Sequence, residues 1–265
     1  MKSKFFLITV FSDFVNNIRG NVSAVIELNA EIDEEQMQII ASDLNQPATT
    51  FIWKAKKKNS YNIRWFAPDT EISLCGHGSL AATSYLVYKK TQENVSLYWK
   101  QGVIIGRYED NNLSSIEMDA ISDIQELEVP AVLKGGLGIE IKGYFSTSGK
   151  HIVLAESEAA VRDMKPDFSI LKTSEIFSYA VTAKGREADF VSRTLIPHVQ
   201  QQEDPATGSS HAALTPFWAM RLQKSRMKAL QLSKRGGSFI CEMSGNKIKL
   251  SGQYEILAEG NILGY

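Results

Sequence analysis

An internal repeat constrains the fold of this chain more than any other sequence feature. Residues 64–68 (RWFAP) are matched by residues 193–197 (RTLIP), with arginine first and proline last in both. The offset is 129 positions (193 minus 64) in a chain of 265. In each half a glycine-containing turn and an apolar stretch follow. The same order of features at one offset is typical of duplication. The sequence therefore predicts two similar α+β halves, 1–122 and 123–265, with the last strand able to pack back on the first half.

Composition and charge exclude several classes of protein. A hydrophobic share of 43% and a charged share of 22% are ordinary for a chain that buries a core. A formal charge of -1, from 29 basic and 30 acidic side chains, provides no field that would attract nucleic acid. The lysines at 54 and 56–58 lie between two apolar-rich stretches, where a solvated hairpin turn is expected. No stretch approaches the roughly 18 apolar residues that a membrane helix requires.

The cysteine content indicates a reducing compartment. Cys75 and Cys241 are too few for a disulfide framework, and no CxxC pair points to a metal site. We interpret residues 5–11 as a first strand rather than a secretion signal, because the apolar run is short and no small-residue cleavage site follows. A cytoplasmic location without a bound metal is therefore expected.

Residue patterns predict strands and helices in the same order in both halves. We expect helices from Asp33 onward and over 80–88, 156–164 and 211–222, and an irregular connection over 121–129. The helix over 80–88 lacks a polar face, which implies a central position. The predicted strands span residues 5–11, 23–28, 49–53, 61–66, 95–99, 103–108, 115–118, 143–146, 151–154, 178–182, 189–196, 230–232, 238–243 and 247–250.

Two glycine-containing turns, 75–79 (CGHGS) and 204–209 (DPATGS), precede the two apolar helices. A helix start offers unpaired N–H groups and the positive end of the helix dipole, so two such starts facing one cleft would bind a small anion such as a carboxylate. Either turn by itself is also what an ordinary helix cap looks like. The expected anion-binding residues are Gly76, Gly78, Ser79, Thr207, Gly208 and Ser209.

The spacing of the turns supports their equivalence. Gly78 lies ten positions after Pro68, and Gly208 lies eleven positions after Pro197. Each turn therefore lies at the same distance from its preceding proline, to within one residue, as expected of equivalent positions in the two halves.

His77 and Asp204 are the expected proton-transfer groups. The dipole at a helix start disfavours the imidazolium, so His77 is expected to be neutral and able to relay a proton. Pro205 restricts the backbone after Asp204 and aims its carboxylate. An Asp-Pro pair is often only a turn, but here it precedes an expected anion-binding loop.

These motifs resemble the phenazine-biosynthesis F-like (PhzF-like) family, in family order over almost the whole chain. The matching runs are 20–21 (GN), 64–68 (RWFAP) with Glu71, 75–77 (CGH), 149–151 (GKH), 203–209 (EDPATGS) and 235–237 (RGG). The resemblance implies a diaminopimelate-epimerase-like fold: two pseudo-symmetric halves, each a mostly antiparallel curved sheet wrapped around a central helix. It also implies an isomerase without a cofactor that acts on a small carboxylate-bearing metabolite, and a homodimer. Thr49 and Arg235 enter the expected site on this basis.

One departure from the family pattern bears on catalysis. Where catalytic members carry Ser-Glu-Thr, with the glutamate transferring the proton, this chain has Pro47, Ala48 and Thr49. Alanine moves no proton, and Asp43, the nearest acid, lies five positions back on a predicted helix. Two hypotheses stay open: an isomerase in which His77 and Asp204 exchange protons, and a binding or interaction module that lost the glutamate.

Cys75 offers another route for proton transfer. The run 75–79 resembles the first cysteine motif of diaminopimelate epimerase, and a thiol near a helix start can have a lowered pKa. Thr207 holds the equivalent position of the second turn, so a two-thiol pair is absent. The alternative is a small buried apolar cysteine. We expect Cys241 to be a core residue and His211 to be a helix residue rather than a catalyst.

Overall fold

The computed structural model describes residues 3–90 and 93–264, which form two compact units. The described residues up to Met118 and from Lys249 onward form the first unit, and Asp119–Ile248 form the second. Each unit contains both helices and strands. The chain therefore has a mixed α and β architecture.

The elements up to Asp119 are mostly strands. Their bounds are β1 Ser3–Ser12, β2 Asn21–Leu28, α1 Glu34–Leu44, β3 Ala48–Lys54, β4 Ser60–Phe66, β5 Glu71–Ile72, α2 Gly76–Lys90, β6 Asn94–Trp99, β7 Gly102–Asp110 and β8 Leu113–Asp119, with a short 3-10 turn at Phe14–Asn16.

The remaining elements follow a similar order. Their bounds are β9 Gln125–Leu127, α3 Ala131–Leu137, β10 Ile141–Ser146, β11 His151–Ala155, α4 Glu158–Asp163, α5 Phe168–Leu171, β12 Tyr179–Lys184, β13 Phe190–Leu195, β14 Glu203–Asp204, α6 Gly208–Leu222, β15 Arg226–Gln231, β16 Gly237–Ser244 and β17 Lys247–Ile262.

In the first unit the strands close into a barrel. The pairs run β1 to β2, β2 to β3, β3 to β4, β4 to β6, β6 to β7 and β7 to β8, and β17 joins β8 to β1. Helix α2 packs against β1, β2, β3, β6 and β7, and residues 76–87 are buried. A helix buried on every side is a core helix, as its missing polar face predicted.

The second unit repeats the pairing scheme of the first. The pairs β10 to β11, β12 to β13 and β15 to β16 are antiparallel, while β11 to β12 and β13 to β15 are parallel. The corresponding pairs of the first unit have the same orientations in the same order. Helix α6 matches α2 in length at 15 residues, and its residues 210–218 are buried.

The two faces of β12 pack against different partners. Tyr179, Val181 and Ala183 belong to an apolar cluster with Leu133 of α3 and Leu171 of α5. On the other face, the hydroxyl of Thr182 accepts a hydrogen bond from the Trp218 indole of α6 at 2.9 Å. This alternation follows from the period of two in a strand, and it directs even-numbered positions of β12 toward α6.

A proline inside α6 is accommodated by the surrounding chain. Pro216 has no N–H, so the carbonyl of Ala212 loses its usual helical donor. The backbone N–H of Ile121 donates to that carbonyl at 3.1 Å instead. The stretch before β9 therefore completes the hydrogen bonding of the helix.

Several boundaries differ from those expected from sequence. Helices α2 and α6 begin at Gly76 and Gly208, four and three residues before the predicted starts, because burial outweighs the low helix propensity of Gly and Ser. Gly76 and Gly208 are therefore equivalent, because each is the first residue of its helix. The spacing had instead paired Gly78 with Gly208. The expected connection over 121–129 contains β9, and β10 pairs with it antiparallel.

Two further differences concern long-range pairing and short helices. Strand β17 extends to Ile262 instead of ending at 250, because β1 pairs along its length. The short helices α3 and α5 were not predicted, since seven and four residues carry too little periodicity. Among the described residues, no helix is both long enough and apolar enough to cross a membrane.

Candidate functional site

The start of α2 places a cysteine and a histidine in contact. The Cys75 carbonyl accepts hydrogen bonds from the Ser79 backbone N–H at 3.0 Å and the Ser79 hydroxyl at 2.7 Å. The Cys75 sulfur accepts the Gly78 N–H at 3.3 Å and lies 3.5 Å from Nδ1 of His77. Both side chains are buried. This pair therefore has the contact needed to exchange a proton.

Gly78 and Ser79 make contacts within the first unit. A Cβ on Gly78 would lie 2.6 Å from Oγ1 of Thr50 and 2.6 Å from Cδ1 of Trp65, so glycine lets α2 pack closely against β3 and β4. The Gly78 N–H and the Ser79 hydroxyl both donate to Cys75. Both residues thus take part in close packing and internal hydrogen bonds, and their binding of an anion stays a prediction.

Position 48 lies beside the start of α2. The Ser23 hydroxyl on β2 donates to the Ala48 carbonyl at 3.0 Å and lies 2.8 Å from Oγ1 of Thr50. Thr50 reaches the place where a Gly78 side chain would project, and Ala48 lies two residues earlier on the same face of β3. Ala48 is fully buried. Thr49 is also buried, and its hydroxyl has no hydrogen-bond partner among the described residues.

A hydrogen-bonded network of three residues precedes α6. The Thr207 hydroxyl donates to Oδ2 of Asp204 at 2.5 Å. The Gln231 amide donates to the Asp204 carbonyl at 2.6 Å and to the Thr207 hydroxyl at 3.1 Å, and its oxygen accepts the Thr207 N–H at 2.8 Å. Gln231 ends β15 and is buried. The network therefore orients the carboxylate of Asp204 relative to the helix start.

The turn that carries Arg235 packs on the loop before α6. The Ser233 hydroxyl donates to the Pro205 carbonyl at 2.6 Å, and a Cβ on Gly237 would lie 2.7 Å from Cβ of Ala206. Arg235 itself is exposed between β15 and β16. The structure thus brings the predicted residues Arg235, Asp204 and Thr207 into one region of the second unit.

The first turn of α6 contains both accessible and buried residues. Gly208 is buried and Ser209 is partly exposed. His211 is fully buried, its Nδ1 lies 2.8 Å from the Thr207 carbonyl, and burial lowers its pKa to about 4. The prediction that His211 is a helix residue rather than a catalyst is consistent with this position. Cys241 is a core residue as predicted, and burial raises its pKa to about 12.

The repeated arginines make the same ion pair in each unit. Arg64 Nε donates to Glu71 at 2.8 Å, and Arg193 Nε donates to Glu203 at 2.7 Å. The hydrogen bond from Arg64 lowers the pKa of Glu71. Each glutamate begins the two-residue strand that leads to a helix start. The arginine therefore ties that strand to the long strand beside it.

Comparison with known proteins decides the family. The family described as phenazine biosynthesis-like protein matches residues 9–260. The chain belongs to this family. An uncharacterized isomerase of Pseudomonas aeruginosa is 35% identical over 264 residues, with 99% of each chain covered.

Solved structures agree with this assignment. A phenazine biosynthesis protein of the PhzF family from Enterococcus faecalis is 30% identical, with a TM-score of 0.89 over 99% of this chain and 100% of that chain. A hydroxyproline epimerase from Agrobacterium vitis is 10% identical, with a TM-score of 0.66 over 98% and 92% of the two chains. The second protein shares the fold. The resemblance drawn from the motifs is thereby confirmed.

Gln231 is the residue of the α6 network that sequence reasoning missed. It lies 24 positions after Thr207 and carries no local motif. The signal that points to it is its position four residues before the run 235–237, whose turn packs on the same loop. Only the strand pairing brings the amide to Asp204.

Proposed function

We propose that this protein is an isomerase that moves a proton on a small carboxylate-bearing metabolite without a cofactor. Membership of the phenazine biosynthesis-like family supports the proposal, as does the relative named as an isomerase. The observation that carries it is the network around Asp204. A general acid or base needs a carboxylate that is oriented before the ligand arrives, and Thr207 and Gln231 provide that orientation.

His77 is the second proton-transfer group in this proposal. Its imidazole touches the Cys75 sulfur at a helix start, where a carboxylate ligand would accept backbone N–H groups. In this proposal the ligand carboxylate binds at a helix start, and His77 and Asp204 are the groups that remove and return the proton.

Solvent deuterium incorporation tests the proposal. The protein is incubated in D₂O with a panel of small carboxylic and amino acids, and exchange is measured by NMR without knowledge of the product. We expect exchange in at least one compound, and Asp204→Asn should lower its rate by roughly 10² to 10⁴-fold. Asp123→Asn is the control, because Asp123 is exposed and bonds only to Ser148 in the described contacts. Equal rates in the native protein and Asp204→Asn would refute the role of Asp204.

A metabolite-binding module without catalysis is the second candidate. The observation that favours it is Ala48, a fully buried residue where the family pattern predicts the proton-transferring glutamate. Asp43, the nearest acid, is on the exposed surface of α1. Retained anion binding together with no deuterium exchange across the panel would favour this candidate over the isomerase.

A further inference from the structure

The indole of Trp65 lies against the first turn of α2. Trp65 is on β4 and is 2% exposed. A Cβ on Gly78 would lie 2.6 Å from its Cδ1, which is bonded to Nε1, so the edge of the ring that carries the N–H faces this turn. That N–H has no hydrogen-bond partner among the described residues. A buried donor without an acceptor is rare in folded proteins, and its free-energy cost is removed when a ligand supplies the acceptor.

Neighbouring donors already have acceptors inside the first unit. The Gly78 N–H donates to the Cys75 sulfur at 3.3 Å. The Ser23 hydroxyl gives its single proton to a backbone carbonyl, so Thr50, which lies 2.8 Å from it and opposite Trp65, is the donor in that contact. Trp65 differs from these groups because its N–H has no acceptor within the described part of the chain.

The equivalent pair of the second unit completes its own hydrogen bond. Trp65 and Thr194 each follow the repeated arginine, and Gly78 and Ser210 are each the third residue of their helix. The hydroxyls of Thr194 and Ser210 lie 3.0 Å apart, within hydrogen-bonding distance. In the first unit the helix residue has no side chain, and the strand residue offers an N–H that it cannot accept. The donor beside the start of α2 is therefore left for another partner.

We infer that the Trp65 N–H is a ligand-binding group that donates to one oxygen of the ligand carboxylate at the start of α2. This role rests on the carboxylate site of the proposed function. The first N–H groups of a helix have no partner within the helix and attract negative charge, and α2 is long enough, at 15 residues, for this effect. A carboxylate has two oxygens, so one can accept from the helix start while the other accepts from the indole. A neutral donor thereby fixes the orientation of the carboxylate.

Nuclear magnetic resonance of the indole N–H groups tests this role. The chain has four tryptophans, so the isotope-labelled protein gives four side-chain cross-peaks, and replacing the other three with phenylalanine in turn assigns that of Trp65. Propionate is the probe, propionamide is the uncharged probe of similar shape, and sodium chloride controls for ionic strength. We expect propionate to move the Trp65 proton downfield more than propionamide does, because a charged oxygen is the stronger acceptor. Trp218 is the internal reference, since its N–H already donates to Thr182 at 2.9 Å.

Calorimetry of two variants measures the contribution of the donor. Trp65→Phe removes the N–H but keeps an aromatic ring, and it should weaken propionate binding about tenfold or more, as a hydrogen bond to a charged group implies. Trp53→Phe is the matched control, because Trp53 packs in the apolar cluster with Met37 and Ile40 of α1. Its affinity for propionate should equal that of the native protein. Thermal midpoints of both variants establish that they fold.

Four outcomes would overturn the inference. They are that propionate does not bind, that it binds without moving the Trp65 proton, that both probes move this proton equally, or that folded Trp65→Phe binds propionate like the native protein. The second outcome would mean that an internal water satisfies the donor or that Trp65 is only a packed ring. Neither measurement requires turnover, so an absence of deuterium exchange would count against the isomerase alone. Deuterium exchange without a response of Trp65 to propionate would count against this role alone.

Discussion

At the scale of residues, the acceptor of each hydrogen bond describes the two helix starts best. The Ser79 hydroxyl and the Gly78 N–H both donate to Cys75, and the Thr207 hydroxyl donates to Asp204. The same residue types would also suit an anion-binding turn, so residue type alone does not separate a cap from a ligand group. The hydrogen bonds of Ser79, Gly78 and Thr207 are internal ones, and binding of an anion by these residues stays a prediction.

His211 is predicted to make stability depend on pH. Its side chain is fully buried and stacks on Phe239 with ring centroids 3.7 Å apart, and burial lowers its pKa from 6.5 to about 4. Between those values the unfolded chain binds a proton that the folded chain does not. The free energy of unfolding should therefore fall as the pH drops from about 6.5 to about 4, by about 3 kcal/mol from this residue.

Urea denaturation at a series of pH values measures this contribution. His211→Gln removes the titrating group, so its stability should change less across that window than the native protein's. His198→Gln is the control, because His198 is exposed. If native protein and His211→Gln lose stability in parallel over the whole window, His211 is not responsible.

At the scale of elements, each short strand before a helix is held by an arginine. Arg193 donates to both oxygens of Glu203 and to the carbonyl of Met164, which follows α4. The guanidinium is mostly buried, and its fork matches the carboxylate. The orientation of β14, and with it Asp204, therefore depends on one side chain of β13.

Arg193→Met is expected to destabilise the protein by about 2 to 4 kcal/mol, because it leaves Glu203 and a buried carbonyl without their donor. Chemical denaturation measures the change. Lys142→Met is the matched control: Lys142 pairs with Glu140, both side chains are about half exposed, and the midpoint should hardly move. An Arg193→Met midpoint equal to the control's would show that the ion pair adds nothing.

At the scale of the whole molecule, the two units have the same pairing plan but different chemistry at equivalent positions. Ala48 and Ser178 correspond by strand register, as do the segments before the two central helices. The two units share the pairing scheme, and the backbone groups of every strand in a sheet must be satisfied by its neighbours. Side chains beside the helix starts are not constrained in this way.

Restoring the family residue tests whether catalysis was lost at one position. The double change Pro47→Ser with Ala48→Glu returns the Ser-Glu-Thr pattern, and deuterium exchange is compared with that of the native protein. If only the proton-transfer group was lost, the double variant should exchange and the native protein should not.

Pro47 is changed together with Ala48 because proline fixes the backbone and lacks an N–H, which would misdirect a new glutamate. Ala48 is fully buried, so a thermal midpoint is needed to establish that the variant folds. A different result is exchange in the native protein at a rate that the folded double variant does not exceed. It would show that another group already transfers the proton, and His77 and Asp204 are the first candidates.

Sequence by itself was sufficient for features that depend on neighbours in the chain. The repeat at 64–68 and 193–197, the order of the longer strands and helices, and the two helix-start runs all follow from local propensity and spacing. The family followed from those runs and was confirmed by the comparisons. Element ends were predicted less accurately, because burial rather than propensity decided where α2 and α6 begin.

Tertiary structure alone decided features that join distant segments. The last strand was expected to be able to pack back on the first half, but only the structure shows that β17 closes the first barrel by pairing with β1, more than 200 positions away. Gln231 reaches Asp204, and Lys150 reaches Ser178, only because intervening strands pair in a particular register. Local sequence carries no record of such contacts, since their free energy comes from burying and pairing groups that the unfolded chain leaves to water.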